Sequence, residues 1–218
     1  MLAQLARGFH SLLFPIACMG CGSFATEAGS PVCSDCRGRL PRCPFPWNGD
    51  GRSLEGGISP FLYEGVCREM VLALKYRGRL SLAPFLAGKM AEELLRRPEH
   101  LPADRIIPVP LHPVRLRERT FNQAELLARS LSRKLDIPVE SDWLIRCRAT
   151  QPQTDLTREE RARNVRGAFD LRGKARLKGF RILLVDDVLT TGSTAQACAR
   201  LLKSAGARTV VAVTAARD

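Results

Sequence analysis

One stretch, residues 181–202 (RILLVDDVLTTGSTAQACARLL), restricts what this chain can fold into more than any other. Ile182, Leu183, Leu184 and Val185 run apolar without alternation, as a parallel strand covered by helices on both faces does. Asp186 and Asp187 follow directly. The loop Thr190-Thr191-Gly192-Ser193-Thr194 then leads straight into a helix. In open parallel sheets, ligands sit outside the carboxyl ends of the strands. Loop amides and a helix N-terminus offer unpaired donors to an anion there. Gly192 lets the backbone come close, and the four hydroxyls add donors without bulk. The two carboxylates suit ribose hydroxyls and a cation, since they would repel a phosphate. Taken singly, an Asp-Asp turn or a Ser-Thr cap is commonplace. In this order on this strand, they describe a ligand site.

The surrounding pattern fits such a strand. Helical periodicity is predicted over 81–97 and 121–135, a short buried strand over 105–109, a helix over 193–205 and a strand over 209–214. Alternating strands and helices predict an α/β domain with a mainly parallel sheet flanked by helices over residues 61–218. Residues 46–60, PWNGDGRSLEGGISP, are rich in glycine and proline and are expected to be a linker or a turn-rich strand connection. Residues 1–45 stand apart as a small N-terminal module.

That module holds four of the eight cysteines as two Cys-x-x-Cys pairs, Cys18/Cys21 and Cys33/Cys36. Each pair is followed within two residues by a glycine. The spacing predicts two turns pointing four thiolates at one tetrahedral zinc ion, with no open position for catalysis. Paired rather than scattered cysteines also point to a reducing compartment, hence the cytoplasm. Before them, Leu2, Leu5, Phe9, Leu12, Leu13 and Ile16 recur at three- and four-residue steps, one face of a helix. No stretch approaches the roughly 20 apolar residues of a transmembrane span.

Lysine and arginine total 34 against 22 acidic residues, a net charge of +12. Such a surplus favours polyanionic partners: nucleic acid, phosphorylated metabolites or anionic membrane. Part of it is concentrated in Arg115, Arg117 and Arg119, and in Arg158, Arg161, Arg163 and Arg166, planar forks suited to phosphate oxygens. The same arginines, interleaved with Glu118, Glu159 and Glu160, also describe a solvated helix face.

VDDVLTTGST resembles the signature of type I phosphoribosyltransferases, and its surroundings resemble the ComF/GntX branch. The likeness runs in order through the cysteine pairs, LKYRGRLSLAPFLA, VPLHPVRLRERTFNQAELLA, RATQPQTDLTREERARNVRGAF and the signature itself. It implies a type I phosphoribosyltransferase fold behind a small zinc-ribbon-like module. Asp186 and Asp187 are then expected to bind ribose hydroxyls, and residues 190–194 to cradle a 5-phosphate. Residues 110–119 would form a pyrophosphate loop and residues 148–166 a mobile hood. The implied ligand is phosphoribosyl diphosphate or ribose 5-phosphate with magnesium. The implied role is DNA uptake during natural competence, with single-stranded DNA and the uptake machinery as partners. The alternative is an active phosphoribosyltransferase of nucleotide metabolism with an unidentified nitrogen acceptor. DNA could engage either the cysteine module or the arginine segments, and Phe45, Trp47, Phe61, Tyr63, Tyr76 and Phe121 are the aromatics available for stacking. Two departures stand out. Glycine is usual in that family where this chain has Thr120. Where some relatives carry a second cysteine pair, only Cys43 is present, so no second zinc site is expected.

Overall fold

A computed structural model describes residues 17–24, 30–148, 160, 164–172 and 177–218. The expected N-terminal helix and the arginines at 158, 161 and 163 lie outside the described residues. Eight strands are formed among those described: β1 (Trp47–Asn48), β2 (Gly56–Ile58), β3 (Phe61–Leu62), β4 (Arg105–Pro108), β5 (Leu144–Arg146), β6 (Phe169–Leu171), β7 (Arg181–Leu189) and β8 (Thr209–Arg217). Six make one sheet in the order β1-β2-β8-β7-β4, with β3 also pairing to β8. All its pairs are parallel except the edge pair of β1 and β2. Strands β5 and β6 form a separate antiparallel hairpin.

The unbroken apolar run of β7 has a direct physical reason. Side chains alternate between sheet faces, and both faces are covered. Leu183 and Val185 join one core with helices α2 (Gly65–Tyr76), α3 (Leu82–Leu95) and α5 (Gln123–Leu135), through Leu74, Leu86, Met90, Leu127 and Leu131. Ile182 and Leu184 join the other, with Cys198 and Leu202 of α6 (Ser193–Ser204) and Phe169 of the hairpin. The remaining helices are α1 (Ser34–Gly38) and α4 (Pro113–Arg119).

Residues 46–60 are not a free linker. They carry β1 and β2, and β2 is fully buried beside β8. The intervening turn is held by Asp50, whose carboxylate accepts from the backbone N–H groups of Arg52, Ser53 and Leu54 at 2.8–3.0 Å and from the Ser53 hydroxyl at 2.6 Å. Burial would raise its carboxyl, but these four donors hold it well below the usual carboxylate range. The glycines that suggested flexibility answer to packing: a Cβ on Gly57 would lie 2.7 Å from Leu189 Cδ2. Helix α2 was not expected from the sequence, whereas α3, α5, α6, β4, β7 and β8 fall within a few residues of their predicted bounds.

Candidate ligand site at the end of strand β7

A cavity of about 780 Å³ opens at the carboxyl ends of the central strands. Alternation along β7 puts Asp186 on the sheet face of Leu184 and Asp187 on that of Val185. The two carboxylates therefore meet different neighbours. Asp187 is 4% exposed, and its Oδ1 lies 2.8 Å from Lys75 Nζ at the end of α2. Its Oδ2 is buried and has no hydrogen-bond partner. Burial opposes the Lys75 charge, but the Asp187 carboxylate more than offsets this and raises the ammonium above its ordinary value. Asp186 Oδ1 accepts the backbone N–H of Asp187 at 2.8 Å. Burial and the adjacent Asp187 push Asp186 up to about 7, against the pull of that N–H, Lys75 and Arg146.

Beyond the pair the chain turns at Gly192, with φ of +77°, and enters α6 with no side chain capping the helix. Glycine is needed there twice over. L-residues avoid this backbone region, and a Cβ would meet Trp47 Cζ2 at 2.7 Å. Thr190, Gly192 and Thr194 line the cavity, whereas Thr191 and Ser193 do not. Their hydroxyls bond each other at 2.8 Å and brace the loop. The resulting wall sets an acidic pair beside the N-terminus of α6, where the Ser193 N–H also donates to Thr191 Oγ1 at 3.4 Å and the helix dipole favours an anion.

The arginine segment differs from expectation. Residues 113–119 are helical, with Pro113 in the first turn and His112 Nδ1 accepting the Val114 N–H at 3.3 Å. On a helix, residues four apart share a side and residues two apart do not. Arg115 and Arg119 accordingly line the cavity, while Arg117 is exposed and does not. Arg115 pairs with Glu118 at 3.1 Å. Arg119 bonds Gln123 at 3.1 Å and the Tyr76 hydroxyl at 3.0 Å, its guanidinium 4.7 Å from the Tyr76 ring centre. Thr120, which ends the helix, has φ of +65°. The position calls for the left-handed backbone that glycine adopts freely.

Lys75 and Arg146 also line the cavity, and sequence reasoning missed them; Tyr63 and Tyr76, singled out there only as stacking candidates for a nucleic acid, line it too. Lys75 did leave a signal. It follows Val71 by four residues and so borders the buried face of Cys67, Met70, Val71 and Leu74, an uncommon place for a lysine. Arg146 comes from the β5–β6 hairpin, its guanidinium 5.2 Å from the Phe169 ring centre. Burial lowers it from the ordinary arginine value.

The four N-terminal cysteines do converge. Their sulfurs lie within 4.8 Å of one another, with Cys21 Sγ and Cys33 Sγ 3.8 Å apart. Zinc–sulfur bonds of about 2.3 Å in a tetrahedron space the sulfurs at roughly 3.8 Å, so the cluster fits a structural zinc. Backbone N–H groups of Gly20 and Cys33 donate to Cys18 Sγ at 3.3 Å, and that of Cys36 to Cys33 Sγ at 3.5 Å. Burial would raise the Cys18 thiol, but backbone donors bring it down to about 6. Burial and three neighbouring thiols push Cys36 up to about 12. The module is not detached: Cys18, Cys33 and Cys36 belong to the same apolar cluster as α2 and α3.

Residues 122–218 match the family described as phosphoribosyl transferase domain. Among curated proteins, the DNA utilization protein YhgH of Salmonella typhi is 36% identical over 196 residues, covering 88% of this chain and 80% of that one. Competence protein F of Haemophilus influenzae is 43% identical over 102 residues, 46% of this chain and 44% of its own. Competence protein ComFC of Bacillus subtilis is 29% identical over 242 aligned positions, 94% of this chain and 95% of its own. Among the described residues, no helix is long and apolar enough to cross a membrane.

Proposed function

Since this chain belongs to the ComF/GntX family of phosphoribosyltransferase-like proteins, we propose that its cavity binds phosphoribosyl diphosphate or ribose 5-phosphate. The observation that carries this reading is the pairing, in one cavity, of the Asp186 and Asp187 carboxylates with the glycine-led N-terminus of α6. A ribose phosphate supplies hydroxyl donors for the first and an anion for the second. Asp186 and Asp187 take the ribose hydroxyls, and within the 190–194 loop Thr190, Gly192 and Thr194 take the 5-phosphate while Thr191 and Ser193 brace the loop. Arg115 and Arg119 neutralise the diphosphate of the larger ligand, which brings magnesium with it. The zinc held by Cys18, Cys21, Cys33 and Cys36 is structural.

Transfer chemistry is the alternative use of the same cavity. A nitrogen lone pair would bond to the ribose anomeric carbon as the bond to diphosphate breaks, with the arginines stabilising the departing pyrophosphate. The relatives' names, DNA utilization and competence, support a role in DNA uptake; the paired cysteines suit the reducing cytoplasm, and the basic surface suits contact with single strands. A thermal-shift titration tests the ligand directly. Phosphoribosyl diphosphate with magnesium is expected to raise Tm and free ribose is not. Equal responses to both would sink the phosphate assignment. Pyrophosphate release across a panel of nitrogenous acceptors separates transfer from binding.

A further inference from the structure

Lys75 has no part in the ribose-phosphate reading as it stands, yet it makes the shortest ionic contact to the acidic pair. It sits one residue from the end of α2, a helix anchored by Cys67, Met70, Val71 and Leu74. Its side chain is 18% exposed and that of Asp187 6%, with 2.8 Å between Nζ and Oδ1. The other oxygen of Asp187, Oδ2, is buried and has no hydrogen-bond partner. On the opposite sheet face, Arg146 also lies close enough to act on Asp186. Two cations thus compensate two carboxylates before any ligand arrives.

A divalent ion docking on Asp187 would compete with Nζ for Oδ1 and would come to rest within a few ångströms of a buried ammonium. Like charges at that separation in a poorly solvated site repel strongly. We propose that Lys75 is a positioning residue that takes the place of a divalent cation on Asp187. It occupies Oδ1 and keeps metal off the acidic pair. Magnesium then enters only on the diphosphate of a ligand that has one, and ribose 5-phosphate binds without it. The ribose part of this inference rests on the proposed ligand; the exclusion of metal does not.

The test uses Mn²⁺ alone, followed by electron paramagnetic resonance, on the full chain. The unaltered protein and Asp187→Asn are expected to bind Mn²⁺ alike. Lys75→Gln is expected to gain affinity by roughly tenfold or more, and Lys75→Arg is expected to gain none. Adding Asp187→Asn to Lys75→Gln should abolish the gain, and this neutral pair also relieves the unpaired charge if Lys75→Gln folds poorly. Calorimetry of the unaltered protein with ribose 5-phosphate needs no variant, and affinities with and without magnesium should agree within about twofold. Mn²⁺ binding in the unaltered protein that Asp187→Asn removes would overturn the inference. So would a folded Lys75→Gln with no gain, or strict magnesium dependence of ribose 5-phosphate binding. Absence of any sugar-phosphate binding would instead refute the ligand assignment, and the Mn²⁺ arm would still decide the role of Lys75.

Discussion

Asp186 works against the stability of the protein that holds it. Its carboxyl is pushed up to about 7 by burial and by Asp187, whereas an unfolded aspartate titrates near 3.9. The folded state therefore binds the proton more tightly, and the stability this provides is fully present below about pH 4. It is lost as pH rises through 7, where the folded chain must ionise a buried group. Asp186→Asn is expected to gain roughly 1–3 kcal/mol at pH 8 and little at pH 4, read as Tm at the two values. A gain independent of pH would contradict the account. Thr120 carries a smaller cost, of backbone origin. With φ of +65°, Thr120→Gly should relieve about 1 kcal/mol of left-handed strain, partly offset by chain entropy, and raise the urea midpoint. At this scale the sequence was informative where chemistry is local. The Asp-Asp pair and the cysteine turns declare themselves in consecutive residues. Lys75 and Arg146 reach the cavity from a helix and a hairpin remote in sequence, and no local pattern joins them to Asp187.

The elements divide in a similar way. Strand β7 and helix α6 were legible because burial on both faces and the loop between them leave no other reading. Residues 46–60 were legible only in part: the turn-rich strand connection is there, but Gly56 and Gly57, which also fit a linker locally, serve close packing of β2 against its neighbours. The arginine segment left two readings open, a pyrophosphate loop and a solvated helix face; it is a helix, and the helix decides which side chains face the cavity. Arg115→Ala and Arg119→Ala are each expected to weaken phosphoribosyl diphosphate binding by about 1.5–3 kcal/mol, the range of a charge-assisted hydrogen bond. Arg117→Ala should change it less than twofold by calorimetry, within about 0.4 kcal/mol. Equal losses at all three positions would restore the extended pyrophosphate loop.

For the whole molecule, the division into a cysteine module and a catalytic-type domain is a division of sequence more than of packing. Cys18, Cys33 and Cys36 share an apolar cluster with Leu74, Leu86 and Leu127. Elemental analysis is expected to find about one zinc per chain. Its removal, or Cys33→Ser, should lower the melting of the whole protein in one transition, because the module and the sheet bury common surface. Two separate transitions, or protein lacking zinc and equally stable, would contradict this. The charge of +12 predicts single-strand DNA binding that falls steeply with salt and ignores sequence. Binding through the arginines would be displaced by phosphoribosyl diphosphate, and binding through the cysteine module would survive it. Fluorescence anisotropy separates the two.

Beneath these expectations lies the claim that the carboxyl end of β7 is a ribose-phosphate site. Calorimetry of phosphoribosyl diphosphate with magnesium, on the unaltered protein and on Asp186→Ala/Asp187→Ala, tests it most directly. Saturable one-to-one binding that falls by roughly a hundredfold or more in the double variant is the expected result. Unchanged affinity in a folded double variant would contradict it.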